Sequence, residues 1–229
     1  MNYANFVMIM STLIYRISSC LVLLALIAQP RVMAEDEQDP VLDYYWQKAG
    51  REFRRMDPVT TEIEYRLVAR TFYKDIDSDG EVVRVDTAMV EYFYSGGERD
   101  SLRVISGDNS RFKDIDLSVQ NVFAIGYHLY AYPNDTGGAV LPIGLDTDSG
   151  SVDPDGFVII DRDNGRLQWL YLYYPKGSGH RRVSRCFRMS EVDGYLFPDS
   201  VWEVGAIERV FVLDHYRVET AITEVEIRR

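Results

Sequence analysis

The spacing of apolar residues divides this chain into three parts. Residues 18–28 are apolar almost without a break. Between 41 and 56 the apolar positions recur at threes and fours, placing Leu42, Tyr45, Trp46, Ala49, Phe53 and Met56 on one stripe, the period of a helix with one buried face. Asp39 is placed to cap it, Pro40 suits its first turn, and Asp57-Pro58 stops it. Beyond residue 61 the period falls to two.

That alternation predicts a series of antiparallel strands. In 62–73, Ile63, Tyr65, Leu67, Ala69, Thr71 and Tyr73 share one face, while Glu62, Glu64, Arg66 and Arg70 share the other. Asp77-Ser78-Asp79-Gly80 turns the chain into a return strand at 81–94, and Gly96-Gly97 leads to a third at 101–106, with Leu102 and Val104 inward. Residues 117–132 fit alternation and helical spacing each in part; Val119, Val122, Phe123 and Ile125 favour a further strand, with Gly126 as a bulge or kink. Residues 133–156, rich in Gly, Pro and Asp, predict a long irregular loop. Strands follow at 157–161 and 166–174 around Asp163-Asn164-Gly165, at 181–192, and at 194–205, 210–213 and 216–227. The run at 167–174 is apolar or aromatic at both parities, so both its faces should be covered. In the last strand the apolar set changes parity between Ile222 and Val225, which predicts a bulge near Thr223.

The unbroken apolar run sets the compartment. With Val32 and Ala34 at small-residue positions, residues 1–34 read as a secretion leader cleaved between Ala34 and Glu35. An uncleaved anchor over 6–28 would hold Arg16 near the bilayer centre, at a cost of roughly 2.5–3.5 kcal/mol, so cleavage is the preferred reading. The apolar stretch at 6–15 is unlike a basic leader start and leaves Met10 open as the first residue. Cys20 precedes its apolar run where a lipidated cysteine would follow one. A mature chain of 195 residues keeps Cys186 alone, so no disulfide braces it, and its net charge moves from −11 to −13 with the loss of Arg16 and Arg31. A periplasmic or secreted single domain is expected, and a monomer. Its acidity opposes nucleic acid and anionic membrane surfaces as partners, because like charges repel before contact forms.

One helix followed by successive antiparallel strands, with the late piece Val192-Asp193-Gly194-Tyr195-Leu196-Phe197-Pro198 running into Val201, Trp202 and Val204, resembles the LolA-like group of periplasmic proteins. The resemblance implies a half-open β-barrel with helical cover on a concave apolar face, and lipids or lipidated proteins as cargo; the group also includes envelope-stress regulators. The expected fold is mainly β: an antiparallel, strongly curved sheet or half-open barrel over 35–229, with one N-terminal amphipathic helix on its concave face.

An apolar cavity in such a sheet has Trp46, Phe53, Trp169, Tyr171, Tyr173, Phe187, Met189 and Trp202 as its candidate lining, though each also suits ordinary core. The sharpest chemical motif runs from Asp75 through Asp77 and Asp79 to Asp86, where the carboxylate spacing imitates a calcium loop. Its flanks are strand-like and its last ligand is Asp, so an acidic hairpin turn explains it as well. Asp146, Asp148, Asp153 and Asp155 make a second acidic cluster, and Lys176–Arg182 a basic loop suited to an anionic head group. No nucleophile elbow, phosphate loop, H-E-x-x-H or C-x-x-C is present, and His128, His180 and His215 are far apart in sequence. The function expected is therefore an exported, non-enzymatic binding protein for a lipid, acyl chain or lipidated protein, without a cofactor unless it is Ca²⁺. The alternative is an envelope protein-interaction or sensing module with no small ligand.

Overall fold

Ten strands hydrogen-bond into one sheet in the order β3-β2-β1-β10-β9-β8-β7-β6-β5-β4, every neighbouring pair antiparallel. The computed structural model describes residues 39–107, 112, 115, 117–131, 137–148, 151, 153–174, 181–209 and 212–228, without the side chains of 181–182, 207–209 and 212–214. The leader with its cleavage position, Cys20, His180 and residues 176–180 of the basic loop lie outside the described residues. The strands are β1 (Glu64–Ile76), β2 (Val82–Ser95), β3 (Glu98–Ser106), β4 (His128–Ala131), β5 (Val140–Asp146), β6 (Asp155–Asp161), β7 (Leu167–Tyr174), β8 (Arg181–Val192), β9 (Tyr195–Arg209) and β10 (Val212–Arg228). Among the described residues one helix, α1 (Pro40–Met56), precedes them.

The sheet curls because its apolar faces must share one core. Laid flat, ten strands would span about 43 Å, far more than a single helix of ~10 Å diameter can cover. Yet residues from both edge strands, Leu102 and Val104 of β3 and Leu129 of β4, pack into the same cluster as Leu42, Phe53 and Met56 of α1. Described pairing leaves β3 and β4 unjoined, so the sheet is a half-open barrel with the helix on its concave side.

β3 and β4 are consecutive in sequence but lie at opposite edges, so the chain between them must cross the open side. Phe112, Leu117, Val122 and Tyr127 on that crossing are all buried. This corrects the strand expected at 117–132. Only β4 is strand there, and Val122–Ala124 is a 3-10 turn. Its apolar residues fill the mouth of the barrel rather than face along a sheet, which is why both periods fitted them in part.

The irregular loop expected at 133–156 is also corrected, since it contains β5. Pro142 misleads in sequence because proline cannot donate to a ladder. Here Pro142 lies beyond the described pairing with β4, which ends at Ala131 opposite Ile143, and on its other side it stands opposite Ile159 of β6. Residues 212–228 form one continuous strand where two were expected, at 210–213 and 216–227; residues 210 and 211 lie outside the described residues. The expected bulge is present: Val68 pairs with Glu224 and Ala69 with Ile222, and the extra residue, Thr223, donates from Oγ1 to Val68 O at 3.1 Å.

Candidate functional site

Helix α1 is built as its sequence demands. The Asp39 carboxylate accepts from Val41 N at 2.8 Å, and Leu42, Ala49, Phe53 and Met56 are buried. Beyond its C-terminus the Asp57 carboxylate accepts from Val59 N, Thr60 N and Thr60 Oγ1, which fixes the exit turn. Phe123, from the turn on the crossing segment, lies between two helix aromatics, with ring centroids 4.5 Å from Trp46 and 5.4 Å from Phe53. Gly50 permits this approach: a Cβ there would stand 3.3 Å from Phe123 Cβ.

The two flanks of α1 differ. On one, Lys48 Nζ donates to the carbonyls of Arg162 and Asp163, both at 2.8 Å, and Glu52 pairs with Arg55 at 2.7 Å and Arg166 at 3.8 Å. Arg166 also pairs with Glu191. This flank is tied to the β6–β7 hairpin, and the hydrogen bond from Arg55 holds the Glu52 carboxyl below its ordinary range. The other flank faces the turn at Phe123 and leaves an open groove of about 280 Å³, lined by Trp46, Gln47, Gly50, Arg51, Arg54 and Phe123. Arg51 and Arg54 are exposed and make no ion pair or hydrogen bond among the described residues.

Farther along the concave face a polar cluster forms. Arg185 pairs with Glu203 at 2.7 Å, Tyr216 donates its hydroxyl to Glu203 at 2.7 Å, and Tyr174 donates to Gln120 at 3.0 Å. Tyr127 donates to Pro154 O, and burial pushes its hydroxyl pKa well above the usual value.

The chain is similar to a solved domain from Vibrio parahaemolyticus named as an outer membrane lipoprotein-sorting protein. The TM-score is 0.45 at 11% identity, covering 81% of this chain and 93% of that one. A DUF1329 family protein from Desulfovibrio piger is similar with a TM-score of 0.40 at 14% identity, covering 81% and 92%. The MucA/MucB complex structure of Pseudomonas aeruginosa gives 0.25 at 9% identity, covering 79% and 99%. No protein-family model and no curated protein matches the sequence.

Strand register separates the residues expected to line one cavity. Leu170, Leu172, Phe187 and Met189 are buried in the core under the helix, joined by Phe53 and, at its margin, Trp46. Trp169, Tyr171, Tyr173 and Trp202 alternate to the opposite, outer face, where Trp169 stacks on Trp202 at 5.7 Å and Tyr171 on Phe157 at 5.2 Å. β7 is thus apolar on both sides because its outer aromatics cover one another. Cys186 is half-buried among them, its register partners Tyr171 and Trp202.

The calcium-loop carboxylates are not brought together. Asp77 accepts from the amides of Asp79 and Glu81 within its own turn, and Asp86 accepts from Arg84 on β2. Among the described residues no group of three or more His, Cys, Asp or Glu side chains is placed to hold a metal ion. In the second acidic cluster, Asp155 accepts from Thr147, and Asp148 contacts His128 at 2.9 Å in an exposed pair.

Sequence reasoning missed Gln47, Gly50, Arg51, Arg54 and Phe123. A signal existed for three of them, since 47, 51 and 54 fall on one flank of a helix at spacings of four and three. Phe123 carried none, because its place depends on a crossing that only the sheet order reveals.

Proposed function

We propose that the protein is an exported, non-enzymatic binding protein that holds an acyl chain, from a lipid or a lipidated protein, beside α1 on the concave face of its half-barrel. The observation that carries this reading is the groove itself: an aromatic floor of Trp46 and Phe123 where the helix meets the turn of the crossing segment. A trough with an aromatic floor and a rim of Gln47, Arg51 and Arg54 suits a slender ligand with an apolar chain and a polar head. Among the described residues, the groups whose ionisation is displaced sit in ion pairs or are buried tyrosines within fold-holding contacts, which supports binding over chemistry. The leader read from residues 1–34 supports export.

Mass spectrometry of organic extracts tests it, using protein purified gently from its exported location beside a mock purification. Near-stoichiometric lipid is expected. An empty extract, together with no uptake of a fluorescent acyl probe, overturns the reading. One observation favours a second reading, an envelope protein-interaction or sensing module with no small ligand. The concave face is densely filled, with Leu67, Val90, Ile143, Leu170 and Phe187 almost wholly buried.

A further inference from the structure

We infer that Arg51 and Arg54 make the groove beside α1 a site for a single-chain anionic amphiphile, with the chain over Trp46 and Phe123 and the head, a carboxylate, between the two guanidinium groups. This rests on the binding reading above and adds the charge and chain number of the ligand.

Size argues for one chain. The groove, at about 280 Å³, falls just below the roughly 300–1,000 Å³ usual for drug-sized ligands, and it is open rather than enclosed. A volume of this size takes part of one slender chain and leaves no room for a second. Gly50 keeps the floor flat between the helix and the turn at Phe123, with Phe123 Cβ only 3.3 Å from where a side chain would begin.

Charge argues for an anionic head. In a chain of net charge −11, most described arginines near acids are paired: Arg55 with Glu52, Arg66 with Glu91, Arg166 with Glu191, Arg185 with Glu203 and Arg188 with Asp199. Arg51 and Arg54 have no such partner and stand one helical turn apart at the lip of the groove. The neighbouring acid on the helix, Glu52, is on the opposite flank and engaged with Arg55 and Arg166. Net negative charge elsewhere acts weakly here, because at physiological ionic strength fields are screened over about 8 Å. The acidity that opposes a whole anionic membrane surface therefore leaves room for one anionic molecule at a local cationic lip. Guanidinium groups suit the task, since their planar forks match a carboxylate.

The test measures binding of oleate and of uncharged monoolein, each below its aggregation concentration, by tryptophan fluorescence and calorimetry. Three proteins are compared: wild type, Arg51→Glu with Arg54→Glu, and a control with Arg70→Glu and Arg217→Glu. The control residues are exposed on the outer face and change the net charge equally. Expected is a loss of about tenfold or more for oleate in the groove variant alone, with monoolein changed less than about twofold. If both ligands bind all three proteins equally, the anionic-head inference falls while the acyl-binding reading stands. If the control loses oleate as much as the groove variant does, general charge and not the lip explains the preference, and the inference also falls. If neither ligand binds wild type, both readings fall together. Circular dichroism of the variants confirms that the fold is kept, which is expected because all four side chains are exposed.

Discussion

Single side chains hold this sheet together in ways that can be tested one at a time. Tyr130 of β4 lies flat over Gly144 of β5, and a Cβ at 144 would fall 2.1 Å from its ring. Gly144→Ala is therefore expected to expel the ring and destabilise the protein by about 1–3 kcal/mol in urea unfolding, as overpacking does. On the outer face Glu91, almost wholly buried, pairs with Arg66 and Arg103. The hydrogen bond from Arg66 holds its carboxyl below the ordinary value of 4.5. A carboxyl with a depressed folded pKa contributes stability above its unfolded pKa and loses it as pH falls through the folded one. Melting temperature should thus drop below about pH 4.5 in the wild type, and Glu91→Gln should lower it near neutrality while flattening that acid limb. An acid limb of unchanged slope would show that Glu91 is not part of it.

Among the elements, helix α1 was legible from sequence almost to the residue, because capping, stripe and stop all agreed. The strands of strict alternation were legible for the same reason. What failed was the crossing segment, where burial follows the mouth of the barrel rather than any local period, and β5, where Pro142 imitated a loop. The site was legible only in part. Trp46, on the helical stripe, lines the groove while Phe53 is buried in the core beside it, and Trp169 and Trp202, expected in the same cavity, stand on the outer face by their parity. The piece Asp193-Gly194, which carried the family resemblance, is a two-residue hairpin turn in which both φ angles are positive, 52° and 87°. That is a requirement of tight hairpins in general, which is why so short a piece says more about local geometry than about ligand. At this scale Phe123→Ala removes the ring between Trp46 and Phe53. A loss of about 2–3 kcal/mol is expected in chemical denaturation, below the ~3–5 kcal/mol of a fully buried phenylalanine because Phe123 is only half-buried.

At the scale of the whole molecule, the sheet is organised by its two most distant strands. β1 pairs along its full length with residues 215–228 of β10 inside the sheet, and buried Thr71 and Thr220, 149 positions apart, share a hydrogen bond at 3.0 Å. Such non-local pairing forms late, since a large loop must close before any contact rewards it. The antiparallel register also sets Glu64 directly beside Arg228. A force applied between those two positions would meet the ladder one pair at a time, as a zip is opened from its end, instead of shearing all its bonds together. In an optical trap, handles at 64 and 228 should open the domain at low force by stepwise peeling, whereas handles at 64 and 215, across opposite ends of the same pair of strands, should require a single much larger rupture.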